Sequence, residues 1–172
     1  MKFTKLFYVF LATVLVAGFS ACGSDNDDNV SIVGTWAFSN PSVNRLIVVE
    51  TNNAKLTEAI RKEVENSFTE RDYTYTFKAD GTVMYDEVGD EQGVGRYVYT
   101  GNNLTITYAS DDIEKTTVVL SGNKMTSTYD NIDEYDRSVI VNLIQNDPTL
   151  VGIDTATVSV SKVHLISTLY RK

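Results

Sequence analysis

The chain has 172 residues, with 15 Lys and Arg against 23 Asp and Glu for a formal net charge of −8, and a single Cys and a single His. Such an acidic balance repels phosphate backbones and anionic headgroups, which argues against nucleic acid as a partner and against electrostatic docking on a membrane. The length suits one domain that closes a core without disulfides, and Tyr, Thr and Val in short runs bounded by Gly, Asn and Asp are the composition of strands and turns.

At the start, Lys2 and Lys5 precede an apolar stretch over 6–16 that leads into Phe19-Ser20-Ala21-Cys22. Basic residues, a short hydrophobic segment and small residues before a cut are the parts of a secretory leader, and the stretch is too short to span a bilayer. With the only Cys directly after the cut, the pattern resembles a bacterial lipoprotein lipobox, Phe19 standing where that motif usually has an aliphatic residue. The resemblance implies a leader over 1–21, a Cys22 thiol carrying two fatty acyl chains of the palmitate class, and a third acyl group on the freed amine. The alternative is an ordinary leader with an incidental thiol, but a lone Cys in an exported protein needs an explanation and lipidation supplies one. Acyl chains bury methylenes at about 0.8 kcal/mol each, so they moor a soluble domain without a spanning helix. Cleavage also removes Lys2 and Lys5, taking the formal balance from −8 to −10.

Residues 22–30 form an acidic tether, Gly23-Ser24-Asp25-Asn26-Asp27-Asp28-Asn29, without the apolar side chains that would order it. It resembles the acidic export signal of surface lipoproteins of the Bacteroidota, which implies display on the outer face of the outer membrane; an acidic linker facing the periplasm is the alternative. Calcium binding fails here, because an EF-hand loop needs Gly where Val30 stands and Glu where Trp36 stands.

The folded domain is expected over 31–172. Ile32, Gly34, Trp36 and Phe38 share one face of a first strand, and 45–49 reads as a second. Between 53 and 68, Leu56, Ala59, Ile60, Val64 and Phe68 recur at helical spacing and Glu58 precedes Lys62 by one turn, which predicts an amphipathic helix packed on a sheet. From Tyr73 the chain reads as a meander. Tyr73, Tyr75 and Phe77 alternate with polar residues, Ala79-Asp80-Gly81 turns the chain, 82–85 returns it, and 86–93 is an acidic loop. Tyr97 and Tyr99, then Leu104, Ile106 and Tyr108, then 115–120 and 125–129, give four more strands separated by short turns. A second helix is expected over 130–145, with Asp133 and Glu134 in its first turn and Asn146-Asp147-Pro148 stopping it, although Val139-Ile140-Val141 also suits a strand. A last strand over 157–170 is long enough to close a barrel and hide the sheet edges.

Gly34-Thr35-Trp36, the hairpin running from Tyr75 through Asp80-Gly81-Thr82, and the hairpin from Gly95-Arg96-Tyr97 through Gly101-Asn102-Asn103 to Ile106 together resemble the lipocalin-like lipoproteins of the Bacteroidota. The resemblance implies an all-β fold, an antiparallel barrel of about eight strands with one or two inserted helices, in which Gly34 has a structural role and Trp36 plugs one end. It further implies an arginine near the last strand covering the tryptophan ring, and Arg171 stands at the matching place. The inserted helical segments leave open whether the interior is covered, filled or empty.

Catalytic chemistry finds little support. His164 lies inside the last strand on a face shared with Ile166, Thr168 and Tyr170, which suits a structural role. Asp86, Glu87, Asp90 and Glu91 in one loop, and Asp133, Glu134 and Asp136 in another, lack the apolar neighbours that raise the pKa of a general acid. No phosphate-cradling glycine loop or dinucleotide fingerprint is present, and neither a cofactor nor a metal is expected. Tyr73, Tyr75, Tyr97, Tyr99, Tyr108 and Tyr129 are the better lead, since a phenol joins a flat apolar body to a polar tip. They line a pocket if they converge inside, form a recognition platform if they face out, and otherwise fill the core. The expectation is a surface-anchored outer-membrane lipoprotein acting as a non-catalytic binding module for a small hydrophobic or glycan-type ligand. The alternative is an envelope scaffold with a filled barrel that contacts another envelope protein.

Overall fold

A computed structural model of the protein describes residues 30–67, 72–87 and 92–172. The leader, Cys22, nearly all of the tether, Phe68, Asp90 and Glu91 lie outside these residues. Among the described residues nine strands, β1 (Gly34–Phe38), β2 (Arg45–Thr51), β3 (Tyr73–Phe77), β4 (Thr82–Glu87), β5 (Gly93–Thr100), β6 (Asn103–Thr107), β7 (Ile113–Ser121), β8 (Lys124–Asp130) and β9 (Val160–Arg171), form one antiparallel sheet. From β3 to β9 each strand pairs with its successor, β1 pairs with both β3 and β9, and eight strands thereby close into a barrel. The all-β architecture expected from the alternation, and the closed antiparallel barrel of about eight strands that the family resemblance implies, are what is observed.

β2 is the ninth strand. Along one edge of β9, β1 occupies the end, with Trp36 opposite Arg171 and Ala37 opposite Tyr170, and β2 takes the stretch from Ser167 back to Val160. The two strands are successive parts of one path, broken at Asn40-Pro41. Asn40 adopts a left-handed φ of 56° and Pro41 begins a one-turn helix, α1 (Pro41–Asn44), an excursion the sequence reading did not include. Asn tolerates that backbone region better than most residues, and Pro is suited to a first helical turn.

The helix expected over 53–68 is α2 (Ala54–Ser67). Its cap is the side chain of Asn53, whose Oδ1 accepts the backbone N–H groups of Lys55 at 3.0 Å and Leu56 at 3.2 Å. The second expected helix is split. Ile132–Glu134 forms a 3-10 turn and the α-helix, α3 (Arg137–Asn146), starts only after Asp136, which accepts from the N–H groups of Ser138 at 2.7 Å and Val139 at 3.0 Å. Asp133 and Glu134 therefore stand ahead of the helix, because the extended backbone of the Asp136 cap ends helical bonding on its N-terminal side. Val139-Ile140-Val141 is helical.

Two apolar cores result. Inside the barrel, Ile32, Trp36, Phe38, Phe77, Val83, Leu104, Ile106, Val118, Met125 and Leu169 pack together. Outside it, Leu56, Ile60 and Val64 of α2 and Ile140 and Ile144 of α3 pack with Leu150 and Val158 on Val49 and Val163. Leu169 and Val163 point the same way along β9, so one strand face serves the barrel at one end and the helices at the other.

Trp36 is fully buried. Its ring nitrogen donates to the Ile32 carbonyl at 2.7 Å, and the Arg171 guanidinium lies 4.7 Å from the ring centroid while donating to the carbonyls of Ser31 and Val33. Gly34 has φ of 136°, a backbone region L side chains rarely adopt, directly beneath this guanidinium. Trp36→Ala is expected to cost about 3–5 kcal/mol of folding stability by emptying a buried aromatic site. Arg171→Ala should cost about 0.5–2 kcal/mol through the lost cation–ring contact, and Arg171→Lys should cost less than Arg171→Ala because the charge remains although the planar fork does not. Urea unfolding curves measure all three.

Candidate ligand cavity

The inward side chains of β8 and β9 meet in three successive pairs: Met125 with Leu169, Ser127 with Ser167, and Tyr129 with Leu165. The apolar pair belongs to the barrel core, and the hydroxyl pair and the tyrosine lie progressively further from it. The other strands repeat the order, with Phe77, Tyr75 and Tyr73 along β3, Leu104 and Ile106 along β6 leading to Tyr108, and Thr116 and Glu114 along β7. These side chains enclose a cavity of about 450 Å³ whose floor is Phe77, Leu104, Met125 and Leu169 and whose rim includes the exposed Asp112 and Ile113. That volume and the mixture of apolar wall with a few polar groups are those of a small-molecule site.

The polar groups are connected. The Tyr108 hydroxyl donates to Glu114 Oε2, and the Tyr75 hydroxyl lies 3.3 Å from that of Tyr108. Loss of water raises the phenol of Tyr75 well above its usual pKa and raises that of Tyr108 as well, and the nearby Glu114 charge adds to both shifts. Burial also raises Tyr73, partly offset by a hydrogen bond with Ser167. All three phenols keep their protons at neutral pH, and with the Tyr108 hydroxyl donating to Glu114, the Tyr75 hydroxyl donates to that of Tyr108. Tyr85 packs edge-on to Tyr108, centroids 4.9 Å apart, and its ring fills the space above Gly93, where a Cβ would come within 2.1 Å of it.

Of the six tyrosines singled out from the sequence, Tyr73, Tyr75, Tyr108 and Tyr129 line the cavity and Tyr97 and Tyr99 do not. Tyr97 packs edge-on to Phe77 at 4.9 Å and donates its hydroxyl to the Lys78 carbonyl at 2.8 Å, while Tyr99 packs against the barrel core. His164 is on the outer face of β9, its Nε2 3.7 Å from Asp130 Oδ1. Asp133, Glu134 and Asp136 are exposed, as is Asp86, and among the described residues no three His, Cys, Asp or Glu side chains are grouped to hold a metal. Glu114 is the site residue the sequence reading passed over. The row Leu120, Val118, Thr116 reaches it when continued one step past Lys115.

The raised phenols set an alkaline limit on stability. Below the usual phenol pKa of 10.0, folded and unfolded chains hold the same tyrosine protons; above it the unfolded chain releases protons that Tyr73, Tyr75 and Tyr108 retain. Unfolding is then favoured increasingly as pH rises. The melting temperature should hold level up to about pH 10 and fall beyond it, and Tyr75→Phe with Tyr108→Phe should flatten the fall. An unchanged slope in that double variant would contradict the assignment.

The sequence model of the lipocalin-like domain family matches residues 32–127, more than half of the chain, from before β1 into β8. No curated protein and no solved structure matches it. The matched segment and the closed eight-strand barrel agree, and the chain belongs to the lipocalin-like domain family.

Proposed function

We propose that the protein is a non-catalytic carrier or sensor of a small, largely apolar ligand, held at the outer face of the outer membrane by acyl chains on Cys22. The observation that carries this reading is the 450 Å³ interior space, walled by Tyr73, Tyr75, Tyr108 and Tyr129 around an apolar floor. A scaffold needs no such space, so the open interior favours a ligand over a filled barrel. The tyrosine rings supply contact area and their hydroxyls orient a polar group, whether on a hydrophobic molecule or on a glycan fragment. Anchoring rests on Lys2, Lys5, the apolar run and the Cys22 position, together with the acidic tether. Among the described residues no helix is long and apolar enough to cross a membrane.

N-phenylnaphthylamine, neutral at neutral pH and fluorescent in apolar surroundings, should bind the soluble domain in a one-to-one ratio. Ser127→Phe, which places a ring in the middle of the cavity, should abolish that signal while the protein still melts cooperatively; binding that survives would place the site elsewhere. Mass spectrometry of the protein from its native membrane should show Cys22 as the first residue, carrying acyl chains. An unmodified Cys22 would remove the anchor from the account and leave the cavity.

A further inference from the structure

The charged side chains lining the cavity, among the described residues, are Glu114 and Asp112; the cation beside it is Arg45, which lies over the Phe38 ring at 5.1 Å and acts on Tyr73, on the side of the interior away from the Tyr108–Glu114 hydrogen bond. Asp112 is exposed at the rim. Glu114 is half-buried on the inward face of β7, directed to the tyrosines by the hydrogen bond it accepts from Tyr108. A carboxylate in this position makes the interior unequal toward ligands of different charge. A second carboxylate in the same space adds like-charge repulsion where water is scarce. An ammonium group neutralises Glu114 and is attracted by the surrounding phenol rings, an attraction that grows when the cation is desolvated.

We infer that the cavity is selective for an organic ammonium compound, its cationic head between Glu114 and the tyrosines and its apolar body on the Phe77 and Leu169 floor. This rests on the reading of the cavity as a ligand site and specifies its ligand class. It separates the protein from carriers of fatty acids and other organic anions, which the same apolar floor would otherwise accept.

Phenylbutylamine, phenylbutanol and phenylbutyrate share one carbon skeleton and differ in head-group charge, so calorimetric titration of the intact folded domain with each isolates that charge. Salt at about 0.15 M screens the general acidity of the surface. The amine should bind at least tenfold tighter than the alcohol, and the carboxylate weakest. Glu114→Gln should lower amine affinity about tenfold and leave the alcohol nearly unchanged, as expected for loss of a charge-assisted hydrogen bond. Asp130→Asn, which removes the same unit charge from the outer face, should change none of the three. Equal binding of all three probes, or tightest binding of the carboxylate, would overturn the ammonium assignment and leave the carrier reading standing. So would an amine preference undiminished in Glu114→Gln. Failure of all three probes to bind would remove both. The ranking in the unaltered protein decides by itself should the Glu114 variant not fold.

Discussion

The closure of β1 onto β9 is the constraint from which the rest of the structure follows. Two short pairings, Trp36 with Arg171 and Ala37 with Tyr170, join strands more than a hundred residues apart and convert a curled sheet into a ring. Trp36 beneath the Arg171 guanidinium seals one end of that ring, and the backbone of Lys172 adds a bond to the Thr35 carbonyl at 3.0 Å. Once the ring is closed, each strand has one inward face, and side-chain alternation assigns every second residue to it. A slip of one residue in β7 would turn Glu114 outward and Lys115 inward, reversing the charge of the interior.

An eight-strand barrel is just wide enough to be filled by its own side chains or to hold one small ligand. The choice here is made by a few short side chains. At mid-height Thr116, Ser127 and Ser167 stand where larger apolar residues would fill the interior, and the space they leave is the cavity. The inserted helices do not occupy it. They pack on the part of β9 that runs beyond β1, where β2 takes over as partner, and build their own core around Leu56, Ile60 and Val64. The break at Asn40-Pro41 separates the strand that belongs to the ring from the strand that supports the helices.

Much of this was legible in the sequence because it is local. Period-two alternation placed the hairpins and the helical spacing of Leu56, Ile60 and Val64 placed α2, whereas the Arg171 cover on Trp36 joins distant parts of the chain and was implied by the family resemblance alone. Depth along the barrel axis is not local. Tyr75 and Tyr97 have the same alternation, yet the stagger between strands puts Tyr75 in the cavity and Tyr97 beside Phe77 and the Lys78 carbonyl. The second helix was misplaced at its start because Asp133, Glu134 and Asp136 are all acceptable near an N-terminus, and only Asp136 reaches two N–H groups. Glu114 was hidden by its neighbour Lys115, which makes the pair read as solvated surface until the inward row is traced from Leu120.

The central claim, that the interior of the ring is where the molecule does its work, is tested most directly by NMR of protein with labelled Ile, Leu, Val and Met methyl groups during titration with N-phenylnaphthylamine. Shifts at Leu104, Ile106, Met125, Leu165 and Leu169, with Val94, Val98 and Val119 on the outer wall unmoved, are the predicted result. Shifts at the outer valines or around α2, with the interior methyls silent, would contradict it.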